Sequence, residues 1–201
     1  MITAQDKILH VANKLGLTSL KDMQASTGAV YDVDTDLSGQ IFSAATRHQF
    51  PSVTNITDNQ FEVNEALLVE NITFFCKDEA GLITNFQNLY NSNAVILFDL
   101  VIGNKRVMKD TPVFAAGSPY TFANVGQQGS LDAGNVVSKY LPRNQVYMEG
   151  AGVLIPPQVQ WYVQYTIYNV VTGAIIAPTA GKALGCYLFG TKVLLNFNTS
   201  I

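Results

Sequence analysis

Charge is what this chain has least of. Asp, Glu, Lys and Arg make up 13% of 201 residues, about half the usual ~25%. Asn, Gln, Ser and Thr take their place. A freely diffusing monomer keeps a charged coat for solubility, whereas the core of a protein interface is depleted of charge. The scarcity therefore points to assembly; a neutral secreted β protein is the plainer alternative. The net charge of -3, with no basic run longer than Lys105-Arg106, speaks against sequence-specific nucleic-acid binding, which needs a basic patch or stripe. Cysteine is scarce too. Cys76 and Cys186 sit on apolar runs without a C-x-x-C, so free thiols are expected rather than a disulfide scaffold or structural zinc. No cofactor is expected. The longest apolar run, 94–100 with its Asp99, is far too short to cross a bilayer. Charges interrupt the first residues, "MITAQDKILHVANKLGL", so no secretory signal is expected. Synthesis in a cytosol follows as an expectation, and the Asn-x-Thr/Ser matches at Asn55, Asn71 and Asn198 then count as chance.

What the chain does have is alternation. In "VLIPPQVQWYVQYTIY", residues 153–168, one face reads Val159, Trp161, Val163, Tyr165, Ile167. The other reads Gln160, Tyr162, Gln164, Thr166, Tyr168. A period of two marks a strand with one packed face. The prolines cannot donate to a ladder, so they belong at its entrance. The second face carries amides, a hydroxyl and tyrosines, which suits contact with another protein. Residues 61–77, 94–108, 136–148 and 182–197 read as further strands, with turns at 102–105 and a bend at Gly190. A short strand is expected near 40–44, another in "TPVFAA", and a long Gly-rich loop over 117–134. Seven to nine short strands without intervening helices predict a mainly β fold, a single antiparallel sandwich or jelly roll. Ahead of it, 4–15 reads as a short helix ended by Gly16, and "LTSLKDMQAS" as a second one capped by Thr18 or Ser19. The expected organisation is a helical arm and irregular linker over 1–58, then the sandwich over 59–201.

Few residues carry chemistry. "DVDTDLSG" places Asp32, Asp34 and Asp36 at the first, third and fifth positions of a calcium loop. Leu37 then stands where the loop needs Gly, and Ser43 where it needs a bidentate Glu. A solvated acidic loop is the expectation, with the three aspartates as the only metal candidates. His10 and His48 lie off the strands, which leaves Ser-His-Asp catalysis without a base. Among strand-borne acids, Glu62, Glu65, Glu70, Asp99 and Glu149, the pair Glu70 and Asp99 could face one another for acid–base work. A structural pair is the commoner case, and the chain is expected not to be an enzyme. Trp161, Tyr162 and Tyr168 could stack on sugar rings, so a carbohydrate- or receptor-binding module is the alternative function. Lys105, Arg106 and Lys109 form a basic corner, either a solvated hairpin tip or a contact for an acidic neighbour, membrane or genome.

The apolar strand running into "NKRVMKDTPV", the Gly-rich loop leading to "KYLPRNQVYM", the Pro-introduced "VLIPPQVQWYVQYTI" and the closing "GCYLFGTKVLL" together resemble the jelly-roll coat proteins of tailless icosahedral bacteriophages, including membrane-containing ones. The likeness covers about residues 60–197. It implies a non-catalytic virion protein whose partners are copies of itself or other capsid proteins, with an internal membrane or the genome at the shell interior. It also implies an N-terminal arm that reaches under a neighbour. Major coat proteins of the lipid-containing members carry two jelly rolls per chain. This chain has room for one, which leaves coat subunit, vertex protein and minor shell component open. The interface candidates are Gln160, Tyr162, Gln164, Tyr168, Lys105 and Arg106.

Overall fold

The computed structural model describes residues 3–20, 23–43, 54–77, 83–84, 94–113, 120–124, 136–140, 146–147, 152–177 and 183–195. His48, Glu149, Asn198 and most of the Gly-rich loop lie outside them. The strands are β1 (Gln24–Val33), β2 (Gln40–Ile41), β3 (Glu65–Lys77), β4 (Ile83–Thr84), β5 (Ala94–Ile102), β6 (Lys105–Pro112), β7 (Tyr120–Asn124), β8 (Val136–Tyr140), β9 (Val146–Tyr147), β10 (Val153–Ile155), β11 (Trp161–Asn169), β12 (Ile175–Ile176) and β13 (Ala183–Leu194).

Two antiparallel sheets pack face to face. The first runs β1-β13-β3-β10, with β4 and β9 also on β3. The second runs β12-β11-β5-β6, with β2 also on β11. Strands β7 and β8 pair with each other. Setting aside the short additions and that ribbon, eight strands remain, and their pairing is nested. The first pairs with the eighth (β1·β13), the second with the seventh (β2·β11), the third with the sixth (β3·β10) and the fourth with the fifth (β5·β6). Successive nested pairs fall in alternate sheets. That is one long hairpin rolled up, the jelly-roll form of the β-sandwich.

Alternation builds the core. Trp161, Val163, Tyr165 and Ile167 of β11 turn inward, each no more than 4% exposed. They meet Leu67, Ile72, Phe74, Leu184 and Leu188 of the first sheet. Trp161 packs on Phe42 and Phe61, with ring centroids 4.5 and 5.6 Å away. Pro156 and Pro157 lie in the link before β11, where no ladder donor is lost. Cys186 is a free, buried thiol on the same core face. Ile102 and Lys105 close the expected tight turn over Gly103 and Asn104.

Three expectations need correction. The second helix does not form. Residues 24–33 are strand β1, because "ASTGAVYDV" lays Val30 and Asp32 inward and pairs with β13 along its whole length. A division at 58 therefore cuts through both sheets, since β1 and β2 belong to them. The bend at Gly190 is a bulge inside one strand. The ladder shifts there, Phe189 facing Asn71 and Gly190 facing Val69, so Glu70 is the extra residue. A Cβ on Gly190 would stand 1.8 Å from the Leu68 carbonyl oxygen, which leaves room only for glycine.

The first helix, α1 (Ala4–Leu15), forms where its pattern predicts. Thr3 and Asp6 make a reciprocal capping box and Gly16 ends the helix in a left-handed conformation. It lies on its own sandwich. Val11 and Ala12 are buried over Ala66, Leu68 and Val193 on the outer face of the first sheet. The bulge aims Glu70 at the same place, where its carboxylate accepts from Lys7 Nζ at 2.7 and 2.8 Å and from Thr191 Oγ1 at 2.7 Å.

Candidate interaction surface

The three aspartates of the calcium-like loop separate. Asp32 and Asp34 are fully buried and Asp36 is exposed, so the segment is neither a solvated loop nor a cation cage. Asp32 accepts from the Phe42 backbone N–H. Asp34 collects donors from the turn that links the sheets: Ser38 N–H at 3.0 Å, Ser38 Oγ at 3.1 Å, Gly39 N–H at 2.8 Å and Tyr165 O–H at 2.7 Å. Burial raises the Asp34 pKa above the usual carboxylate range, and a hydrogen bond shared with Asp36 adds to it; the same bond lowers Asp36. These carboxylates staple the turn after β1 to β11. Among the described residues no group of three or more His, Cys, Asp or Glu side chains is placed to hold a metal ion.

The proposed acid pair also fails to meet. Glu70 sits under α1 on the outside of the first sheet, whereas Asp99 sits on the outside of the second, bonded to Arg106 Nη1 at 3.2 Å and to the Asp110 N–H at 2.7 Å. Trp161, offered as a stacking platform, is in the core with no exposed surface. His10 lies on α1, away from both acids.

The remaining candidates do come together. Tyr162, Gln164 and Tyr168 share the outer face of the second sheet with Thr166. Across the ladder they stand opposite Val101, Asp99 and Val95, with Thr166 opposite Leu97. Gln40 of β2 extends the row on the other side of Gln164. No described element lies over this face. Gln160 is exposed in the link ahead of β11, and its carbonyl accepts from the Gly103 N–H at 2.7 Å. That bond ties the link to the β5–β6 hairpin, whose tip carries Lys105 and Arg106. Arg106 is pinned by Asp99, while Lys105 makes no ion pair among the described residues.

At the other end of the face, the β11–β12 turn exposes Val170, Val171 and Ile175 by 60, 74 and 70%. Sequence reasoning missed this tip, although a signal existed: from 150 to 181 no Asp, Glu, Lys, Arg or His occurs. It also missed Asn55, one of the sequon asparagines. Asn55 Oδ1 accepts from Tyr31 N–H at 2.7 Å and its Nδ2 donates to Ala29 C=O at 2.8 Å, covering part of the free edge of β1. Comparison with protein-family models, with curated proteins and with solved structures finds no match for this chain.

Proposed function

We propose that the chain is a structural subunit of a virion shell, a single-jelly-roll capsid protein that associates with its own copies or with sister subunits. The jelly roll alone does not carry this, because the same form also serves lectins and cupins. The carrying observation is the outer face of the second sheet. It is flat, poor in charge and uncovered, and it ends in an aliphatic tip that stays exposed in the single chain. Contiguous apolar surface of this kind marks association sites, and the charge-depleted amide–tyrosine row matches the composition of interface cores. The buried aspartates leave the sandwich without a catalytic cleft at that turn.

Sedimentation velocity and mass photometry on the full chain, from nanomolar to tens of micromolar, test the proposal. Oligomers are expected for the unaltered protein, and Thr166→Lys, at the middle of the face, is expected to dissociate them while leaving the melting temperature in place. A strictly monomeric wild-type chain across that range overturns the proposal.

A further inference from the structure

At the end of the sandwich that carries the β5–β6 hairpin, a groove of about 320 Å³ opens between the inner face of the first sheet and the loop 55–62. Its floor is apolar, made by Phe61 and Leu67, both nearly without exposure. Three carboxylates, Asp58, Glu62 and Glu65, stand against one ammonium, Lys192, which bonds Glu65 at 2.9 Å. Gly28 keeps the groove open on the sheet side: a Cβ there would sit 2.8 Å from Lys192 Cβ. The groove is thus a small apolar slot with an excess of negative charge at its mouth, and Glu62 is exposed without a side-chain partner among the described residues. A volume of this size is at the lower end for a ligand pocket, ~300–1,000 Å³. It admits a side chain or two.

The same chain presents a knob of matching chemistry. The β5–β6 hairpin projects Lys105, Arg106 and Val107, with Val107 44% exposed. Lys105 has no acid of its own. The knob therefore offers two cations and an aliphatic group, and the groove offers carboxylates around an aliphatic floor.

We propose that the β5–β6 hairpin of a second copy docks into this groove, Lys105 and Arg106 meeting Glu62 and Asp58 while Val107 lies toward Phe61. The proposal rests on the shell-subunit reading and adds the polarity of the contact. Knob and groove are different surfaces, so the contact is head-to-tail, and repetition closes a ring or propagates a chain of subunits. It differs from the sheet-face contact in being electrostatic, hence sensitive to salt.

Charge reversal on the full chain tests it. Glu62→Lys and Lys105→Glu, both at exposed side chains, are each expected to weaken association tenfold or more in sedimentation velocity at low salt, with unchanged far-UV circular dichroism. The chain carrying both reversals is expected to recover most of the loss, because the charges are again opposed. Raising salt from 50 to 500 mM should weaken the wild-type contact and barely affect the single variants. If the wild type assembles and both single variants assemble equally well, the groove contact is wrong while the shell reading stands. Loss in both without recovery in the double variant also overturns the pairing. A monomeric wild type overturns both.

Discussion

The two outer faces of this sandwich began from similar material and were finished differently. The first sheet buries Ala66, Leu68 and Val193 under α1, and a bulge supplies Glu70 to hold Lys7. The second sheet carries Val95, Leu97, Thr166 and Tyr168 with nothing described above them. A protein that spends a helix, a bulge and an ion pair on covering one face and leaves the other bare separates an inside-the-subunit role from a between-subunits role. The cover is intramolecular, so the expected arm reaching under a neighbour is not the arrangement seen in the single chain.

The comparison can be broken at four levels. The largest effect belongs to the core that both sheets share: Trp161→Ala should cost about 3–5 kcal/mol in a urea or thermal melt. Next come matched truncations on the two faces. Leu68→Ala, beneath α1, should cost roughly 2–5 kcal/mol, whereas Leu97→Ala on the bare face should cost the isolated subunit about 1 kcal/mol or less. Equal costs would mean the second face is covered after all. The third is a pH effect. Burial pushes the Glu70 pKa up, but hydrogen bonds from Lys7 and Thr191 and the Lys7 charge outweigh it and leave the pKa lowered from 4.5. Its stabilising contribution is therefore present above that value and fades as the pH falls through the lowered one. Amides of 3–20 should exchange faster on acidification while the β-sheet amides stay protected, and Lys7→Met should abolish the pH step. Asp34 has the opposite sign: its raised pKa favours the protonated form in the fold, so its contribution is intact at low pH and is lost as the pH rises through the raised value. The smallest effect on the subunit is Thr166→Lys, within about 0.5 kcal/mol in stability, although it is the one expected to abolish association through the face.

Much of this was legible in the residues. The two-residue period of β11 announced which side chains turn inward, and Gly16 marked the end of α1. The link 102–105 read as a turn. What stayed hidden was non-local. "ASTGAVYDV" looks like the tail of a helix until β13, far away in the chain, pairs with it. Asp32 and Asp34 read as solvated because nothing nearby says that Tyr165 and the Phe42 N–H will satisfy them. The Glu70–Lys7 contact depends on a one-residue slip between β3 and β13, which no local pattern records. The groove is assembled from three strands and a loop and has no signature in any one of them.

The nested pairing also orders events in time. β13 lies between β1 and β3, yet it begins 150 positions after β1 ends. On the ribosome, β1 must wait without its neighbour until the last long strand emerges, and such distant closure is slow. A nascent or truncated chain therefore lacks the middle strand of its first sheet, the groove wall at Lys192 and the platform that seats α1, so quality control over what enters an assembly is written into the order of the strands.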